Sequence, residues 1–307
     1  MTFGLISHND CLRHLAPENH PEAAGRITVI QDQLIAQGLD ILMPYTEAPL
    51  ASAKQLKRVH SSEHVEHMFA LAESTEEFWL DQDTLFTADT LKAARRAAGA
   101  CIKAVELVME SDIRHQFCLV RPPGHHAERN RAMGFCIFNN IAVGAAHALE
   151  TYNLSRIAII DFDVHHGNGT EDIFKNEPRV LFCSAFQHPF YPEYPFETES
   201  DHIINVPLPA YTGSKEFQDA ITKAWLPALD SFKPELMLIS AGFDGHVSDD
   251  MSQFMLTNHD YAWLGEQLTK VAKIHADNRL VAVLEGGYNQ DTLAGSVLAF
   301  LHEYWKS

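Results

Sequence analysis

Five short apolar runs mark the chain: QFCLV (116–120), RIAII (156–160), RVLFCS (179–184), ELMLIS (235–240) and RLVAVL (279–284). Each reads as a strand buried on both faces. Helix-period segments lie between them. From about Asp89 to Met109, Leu91, Ala94, Ala98, Cys101, Ile102, Val105 and Met109 recur at helical spacing and form one apolar stripe. Another helix is expected to start at Thr257, an N-cap whose partner Asp260 stands three positions on. Strands alternating with helices predict an α/β fold, a parallel β-sheet flanked by helices on both faces. No long Pro, Gly or Ser linker, repeat or low-complexity run divides residues 1–307, so the chain is expected to be a single domain.

Four of these runs end in polar clusters. RPPGHHA follows the first, DFDVHHGNG the second, AGFDGH the fourth and EGGYN the fifth. In an open parallel sheet the carboxyl ends of the strands share one edge, where such folds bind ligands. The clusters are therefore expected to converge.

Composition narrows the setting. A net charge of −18, with 23 Lys and Arg spread along the chain, argues against a nucleic-acid partner. Acidic stretches such as AESTEEFWLDQD and FETESD serve solubility or attract cationic substrates. Cys11, Cys101, Cys118, Cys136 and Cys183 are far apart, with no CxxC pattern, and read as reduced core residues. With no signal peptide and no run of about 18 apolar residues, a cytoplasmic location without membrane association is expected.

Within DFDVHHGNG, Asp161, Asp163 and His165 alternate, so an extended strand end would aim them one way. Alone, the two aspartates could equally cap a following helix. Asp244, after Gly242 in SAGFDGH, is the candidate third ligand, with the glycine expected to turn the backbone sharply. Two carboxylates and one imidazole with an open position describe a catalytic metal site, best suited to Zn²⁺ and open to Fe²⁺ or Co²⁺. His125 and His126 suit a general base and acid, with Asp161 and Asn168 the polar groups at hand to fix their tautomers. Tyr288 either fills the core or donates to an oxyanion opposite the metal.

Taken in order, RPPGHHA, GFCIFNN, DFDVHHGNGTEDIF, SAGFDGH and LEGGYN, with HPE and Arg26 near the start, resemble the histone deacetylase and acetylpolyamine amidohydrolase family, of the arginase-deacetylase fold. Asn168, where some members carry Asp, resembles the class II branch. The resemblance implies one zinc ion per chain on Asp163, His165 and Asp244. It makes His126 the main base and acid, His125 an electrostatic assistant and Tyr288 the group polarising the acyl carbonyl. It implies a substrate tunnel walled by Gly134, Phe135 and Tyr191. A structural potassium ion would be held by Asp161, Ser184 and the main chain of Asp163, His165 and Ala185. Three departures stand out. The loop PFYPEYPFETE lacks the family's glycines. SDDM follows the Asp244 block, placing Met251 where polyamine-specific members carry Glu. Only Asp83 offers itself as the acidic residue that grips a substrate backbone.

The resemblance thus implies a zinc-dependent amidohydrolase that removes acetyl or short acyl groups from acyl-lysine or a small acylated amine. The alternatives are an acetylpolyamine amidohydrolase, a binuclear arginase-like enzyme, which would want carboxylates at His166 and Gly167, and a non-catalytic acyl-ligand binder. A homo-oligomer stays open.

Overall fold

The computed structural model describes residues 3–196, 200–302 and 304; the stretches FETESD and PFYPEYPFETE both include residues 197–199, which lie outside this set. Its strands are β1 (Phe3–Ser7), β2 (Tyr45–Glu47), β3 (Phe78–Trp79), β4 (Leu85–Phe86), β5 (His115–Cys118), β6 (Ile157–Asp161), β7 (Val180–Gln187), β8 (Ile203–Leu208), β9 (Leu236–Ala241) and β10 (Leu280–Leu284). Eight form one sheet in the order β2-β1-β5-β10-β9-β6-β7-β8, and β3 and β4 pair as a separate antiparallel hairpin. Every pairing in the large sheet is parallel.

The five expected strands correspond to β5, β6, β7, β9 and β10, buried along their lengths as the continuous apolar runs require. Helices cover both faces. Cys118 of β5 meets Cys101 in the helix Ala88–Glu110. His115, an odd number of positions away and so on the opposite face, packs on Tyr304 just beyond the helix Gln290–Leu301. The helix Ala88–Glu110 coincides with the predicted stripe to within a residue at either end. The helix Asn258–His275 starts with the Thr257–Asp260 capping box. All five cysteines are buried free thiols, and no helix among the described residues is long and apolar enough to cross a membrane.

The strand order answers what the sequence order leaves open. The four strands whose ends carry RPPGHHA, EGGYN, AGFDGH and DFDVHHGNG are contiguous neighbours, β5-β10-β9-β6. Their polar clusters therefore share one short stretch of sheet edge.

A buried charge cluster fixes the segment leading into the tandem histidines. Both Arg121 and Arg26 are fully buried and both bond to the Glu22 carboxylate. Arg121 also donates to the Cys11 carbonyl at 2.9 Å, and Arg26 to the Gly287 carbonyl at 2.6 Å. Burial alone would raise the Glu22 carboxyl, but Arg121 and His14 outweigh it and hold it well below the usual carboxylate range. Glu22→Gln strands two buried guanidinium ions, and should cost about 3 kcal/mol of stability at neutral pH by thermal or urea melts. A depressed carboxyl contributes in full only above its unfolded value of 4.5, so that deficit should shrink as the pH falls below this point. A variant as stable as the parent at pH 7 would show that the cluster does not hold this region.

Candidate active site

Strand β6 stops at Asp161, and Asp163 and His165 lie in the turn that follows. They are brought together by a local turn, which corrects the expectation of an extended strand end. The Asp163 Oδ1 accepts from the His165 N–H at 2.9 Å and sits 3.0 Å from its Nδ1. Asp244 arrives from the end of β9, its Oδ1 held by the Val164 N–H at 3.1 Å. The Asp163 Oδ2 takes the Gly286 N–H at 2.8 Å. One ligand atom from each of Asp163, His165 and Asp244 lies within 4.8 Å of the others, and all three residues are buried.

The trio's chemistry fits a divalent cation. The Asp244 Oδ2 lies 3.2 Å from His165 Nδ1 yet has no hydrogen-bond partner. Burial, with Asp163 beside it, lifts the Asp244 carboxyl to about 6. One ring nitrogen faces two carboxylates, and a proton on it could satisfy only one of them. A metal ion satisfies all three. Glycines leave the space: a Cβ on Gly286 would lie 2.0 Å from the Asp244 Oδ2, and one on Gly242 2.2 Å from the Asp163 Oδ2. Gly242 is not among the glycines with positive φ, so close approach of the two loops, not a sharp turn, is what it provides.

The tandem histidines enter from β5. His125 Nδ1 pairs with the Asp161 Oδ2 at 2.9 Å, and His126 Nδ1 with the Asn168 Oδ1 at 2.7 Å. Burial lowers both imidazoles, but Asp161 and Asp163 outweigh it at His125 and raise it to about 10. His126, against a neutral amide and the charges of His125 and His165, is pushed well below the ordinary histidine value. Neighbouring rings are thus pushed in opposite directions, His125 toward the protonated form and His126 toward the neutral one.

A cleft of about 740 Å³ opens over these groups, lined by His126, His165, Gly134, Phe135, Tyr191 and Tyr288 among others. Gly134 and Phe135 both have positive φ, 56° and 68°. Such strain in Phe persists only when its surroundings over-determine it. Here the Gly134 N–H donates to the Asp81 Oδ2 at 2.9 Å and the Phe135 N–H to Thr84 Oγ1 at 3.0 Å, both from the loop of the β3–β4 hairpin. Tyr191 meets the His126 ring edge to face, and Phe190 stacks on His165. The Tyr288 ring lies under the Arg26 guanidinium. Asp83 and Met251 also line the cleft.

Beside Asp161, Ser184 is its register partner on β7, fully buried, with a hydroxyl that has no hydrogen-bond partner. An orphaned oxygen next to a buried carboxylate suits a monovalent cation. His166 points elsewhere, toward Glu171 and Asn205 at 3.1 Å each, and only one metal-ligand group occurs among the described residues. That overturns nothing in the single-metal reading and gives the binuclear alternative no second site.

Several positioning residues were not apparent in the sequence. Glu285 Oε2 takes the N–H groups of Gly124 and His125 at 2.6 and 3.1 Å, so the end of β10 holds the histidine loop. Asp249, within the SDDM departure, accepts from the Tyr288 and Asn289 N–H groups. Each is an acid whose partner is main chain, and no residue pattern announces such a partner.

An eight-stranded parallel sheet with this site at its edge defines the arginase-deacetylase fold. A family model described as the histone deacetylase domain matches residues 20–304. A probable deacetylase of Archaeoglobus fulgidus is 36% identical over 301 residues, 94% of this chain and 82% of that protein. The polyamine deacetylase HDAC10 of Mus musculus is 37% identical over 324 residues, 97% of this chain and 47% of that protein, so the chain spans about half of this longer relative. The crystal structure of the HDA15 HD domain superposes with a TM-score of 0.92 at 28% identity, covering 99% of this chain and 90% of that one. The chain belongs to the histone deacetylase family and is a hydrolase of that family.

The glycine contacts yield a test of the metal pocket. Gly286→Ala should weaken Zn²⁺ binding about tenfold or more in a competition titration while the fold persists by circular dichroism. Unchanged affinity would mean that this crowded approach does not shape the ligand set.

Proposed function

We propose that this protein is a zinc-dependent amidohydrolase, its catalytic domain spanning the whole of residues 1–307, that removes acetyl or another short acyl group from the ε-amine of an acyl-lysine or a related amine. The observation that carries the reading is the buried Asp163–His165–Asp244 trio whose His165 lines one cleft with His126 and Tyr288, with the His125 ring packed beside His126. A bound Zn²⁺ supplies Lewis acidity and an acidified water.

The protein's own groups do the rest. Asn168 accepts the His126 Nδ1–H, which leaves Nε2 bare to take a proton from the attacking water. His125, charged against Asp161, contributes a positive field without transferring the proton. The Tyr288 hydroxyl donates to the acyl oxygen as negative charge builds there. When the carbon–nitrogen bond breaks, His126 returns its proton to the departing amine, releasing amine and carboxylate. Phe135 and Tyr191 wall the aliphatic part of the substrate. The Asp161–Ser184 pair would hold potassium and steady the turn that carries Asp163 and His165. Buried, reduced cysteines are consistent with a cytoplasmic setting.

Acetylpolyamine hydrolysis is the second reading, favoured by the Asp81, Asp83 and Asp250 carboxyls around the cleft, which suit a substrate with further cationic amines. Met251, beside Asp250, offers no charge of its own.

A panel of acyl-lysine peptides and acetylated polyamines, assayed with zinc-loaded protein, separates these readings. Hydrolysis of neither class would sink both and leave an acyl-ligand binder. Tyr288→Phe should lower kcat by about 10²-fold or more with KM changed only a few-fold. Parallel losses in both constants would remove the oxyanion role. Metal analysis should find about one zinc per chain, and two manganese ions would instead indicate binuclear chemistry.

A further inference from the structure

Asn168 is a less certain partner for a catalytic imidazole than a carboxylate. The two ends of an amide are nearly the same shape and opposite in hydrogen-bonding sense. With its oxygen toward His126 Nδ1, the ring carries its proton there and Nε2 is a base. With its NH₂ toward Nδ1, the proton moves to Nε2, which can then no longer accept one. A carboxylate in this place has no wrong end.

We infer that Glu128 is the positioning residue that locks the Asn168 amide and, through it, the tautomer of His126; this rests on the reading of His126 as the base. The Asn168 Nδ2 donates to the Glu128 Oε1 at 2.8 Å, and its other partners among the described residues are the His126 carbonyl at 3.5 Å and the Met133 sulfur at 3.4 Å, both acceptors. An ionised carboxylate accepts only, so it repels the amide oxygen and takes the NH₂. The Asn168 oxygen is thereby turned to His126 Nδ1, 2.7 Å away.

Glu128 is itself fixed. Arg131 grips its carboxylate in a two-point fork, Nε to Oε2 and a terminal nitrogen to Oε1, both at 2.8 Å. The Glu128 N–H donates to the Arg131 carbonyl at 3.0 Å, closing a tight loop. His60 Nε2 accepts the Asn139 N–H, so its Nδ1 carries the proton and donates it to the Glu128 carbonyl at 2.9 Å. The line Arg131–Glu128–Asn168–His126 runs from the rim of the cleft to its floor, since Arg131 and His126 both line it.

The lock is tested by exchanging the two functional groups. Glu128→Gln can present either end to Asn168 and releases it. Asn168→Asp faces Glu128 with a second carboxylate and is pushed from His126. Combined, the two changes rebuild the pairing in reverse, Gln donating to Asp and Asp accepting from His126. In protein labelled with ¹⁵N-histidine, with His126 signals assigned by their loss in His126→Ala, the parent should show a protonated Nδ1 and bare Nε2. Glu128→Gln should show a mixture and the double variant the parent pattern. In turnover, each single change should lower kcat about tenfold with KM within about twofold, and the double variant should recover to within about threefold of the parent. An unchanged His126 spectrum in Glu128→Gln, or a double variant no better than the worse single, overturns the lock. A parent inert on every substrate would instead overturn the hydrolase reading, and the spectra would still judge the lock.

Discussion

Burying acids at one edge of the sheet is the constraint on which the rest of the molecule depends. Glu22, Asp161, Asp163, Asp244 and Glu285 are each at most 1% exposed, in a place where an uncompensated carboxylate is costly. Every one is answered differently. Glu22 has two guanidinium ions, Asp161 has His125, and Glu285 has two main-chain N–H groups. Asp163 takes the His165 and Gly286 N–H groups and Asp244 the Val164 N–H, but the Asp244 Oδ2 faces only the His165 nitrogen that Asp163 also faces. That deficit fits a divalent cation, and the neighbouring loops carry glycine because carboxylates this close leave no room for a Cβ.

The same constraint links distant parts of the chain. Arg26, from the helix Gly25–Ala36, reaches the carbonyls of Glu285 and Gly287, so a segment remote in sequence sets the backbone that presents Tyr288. Glu285 in turn holds the amides of Gly124 and His125. The phenol and the paired imidazoles are therefore fixed relative to each other through buried charge, which is directional and intolerant of slack, and not through loop packing alone.

What was legible in the sequence follows from how local each cue is. The buried strands β5, β6, β7, β9 and β10 announce themselves as continuous apolar runs, and the Thr257–Asp260 box as a short-range pairing. The strands β1, β2 and β8 did not. β2 is a three-residue edge strand, half exposed, and β8 has intermediate positions broken by Pro207, so neither carries a two-sided apolar signal. Site residues defined by side-chain chemistry, such as Asp163, His165, Asp244 and the tandem histidines, stood out and were brought together. Asp81, Asp249 and Glu285 did not, because each binds main chain in a loop remote from its own.

The contrast between His125 and His126 shows why a family can place a neutral residue where a charged one would do. Both rings are buried side by side, with centroids 4.0 Å apart, and two adjacent imidazolium ions would repel strongly. Giving a carboxylate to one ring and an amide to the other separates their roles without moving either. The separation holds only while the amide keeps its oxygen inward. Neutrality at Asn168 therefore transfers the need for charge one step outward, to Glu128, whose carboxylate is held in the two-point fork of the exposed Arg131. The charge sits one residue away from the imidazole, paired with Arg131, and the neutrality beside it, an arrangement in which the ring gains orientation without an anion in direct contact with it.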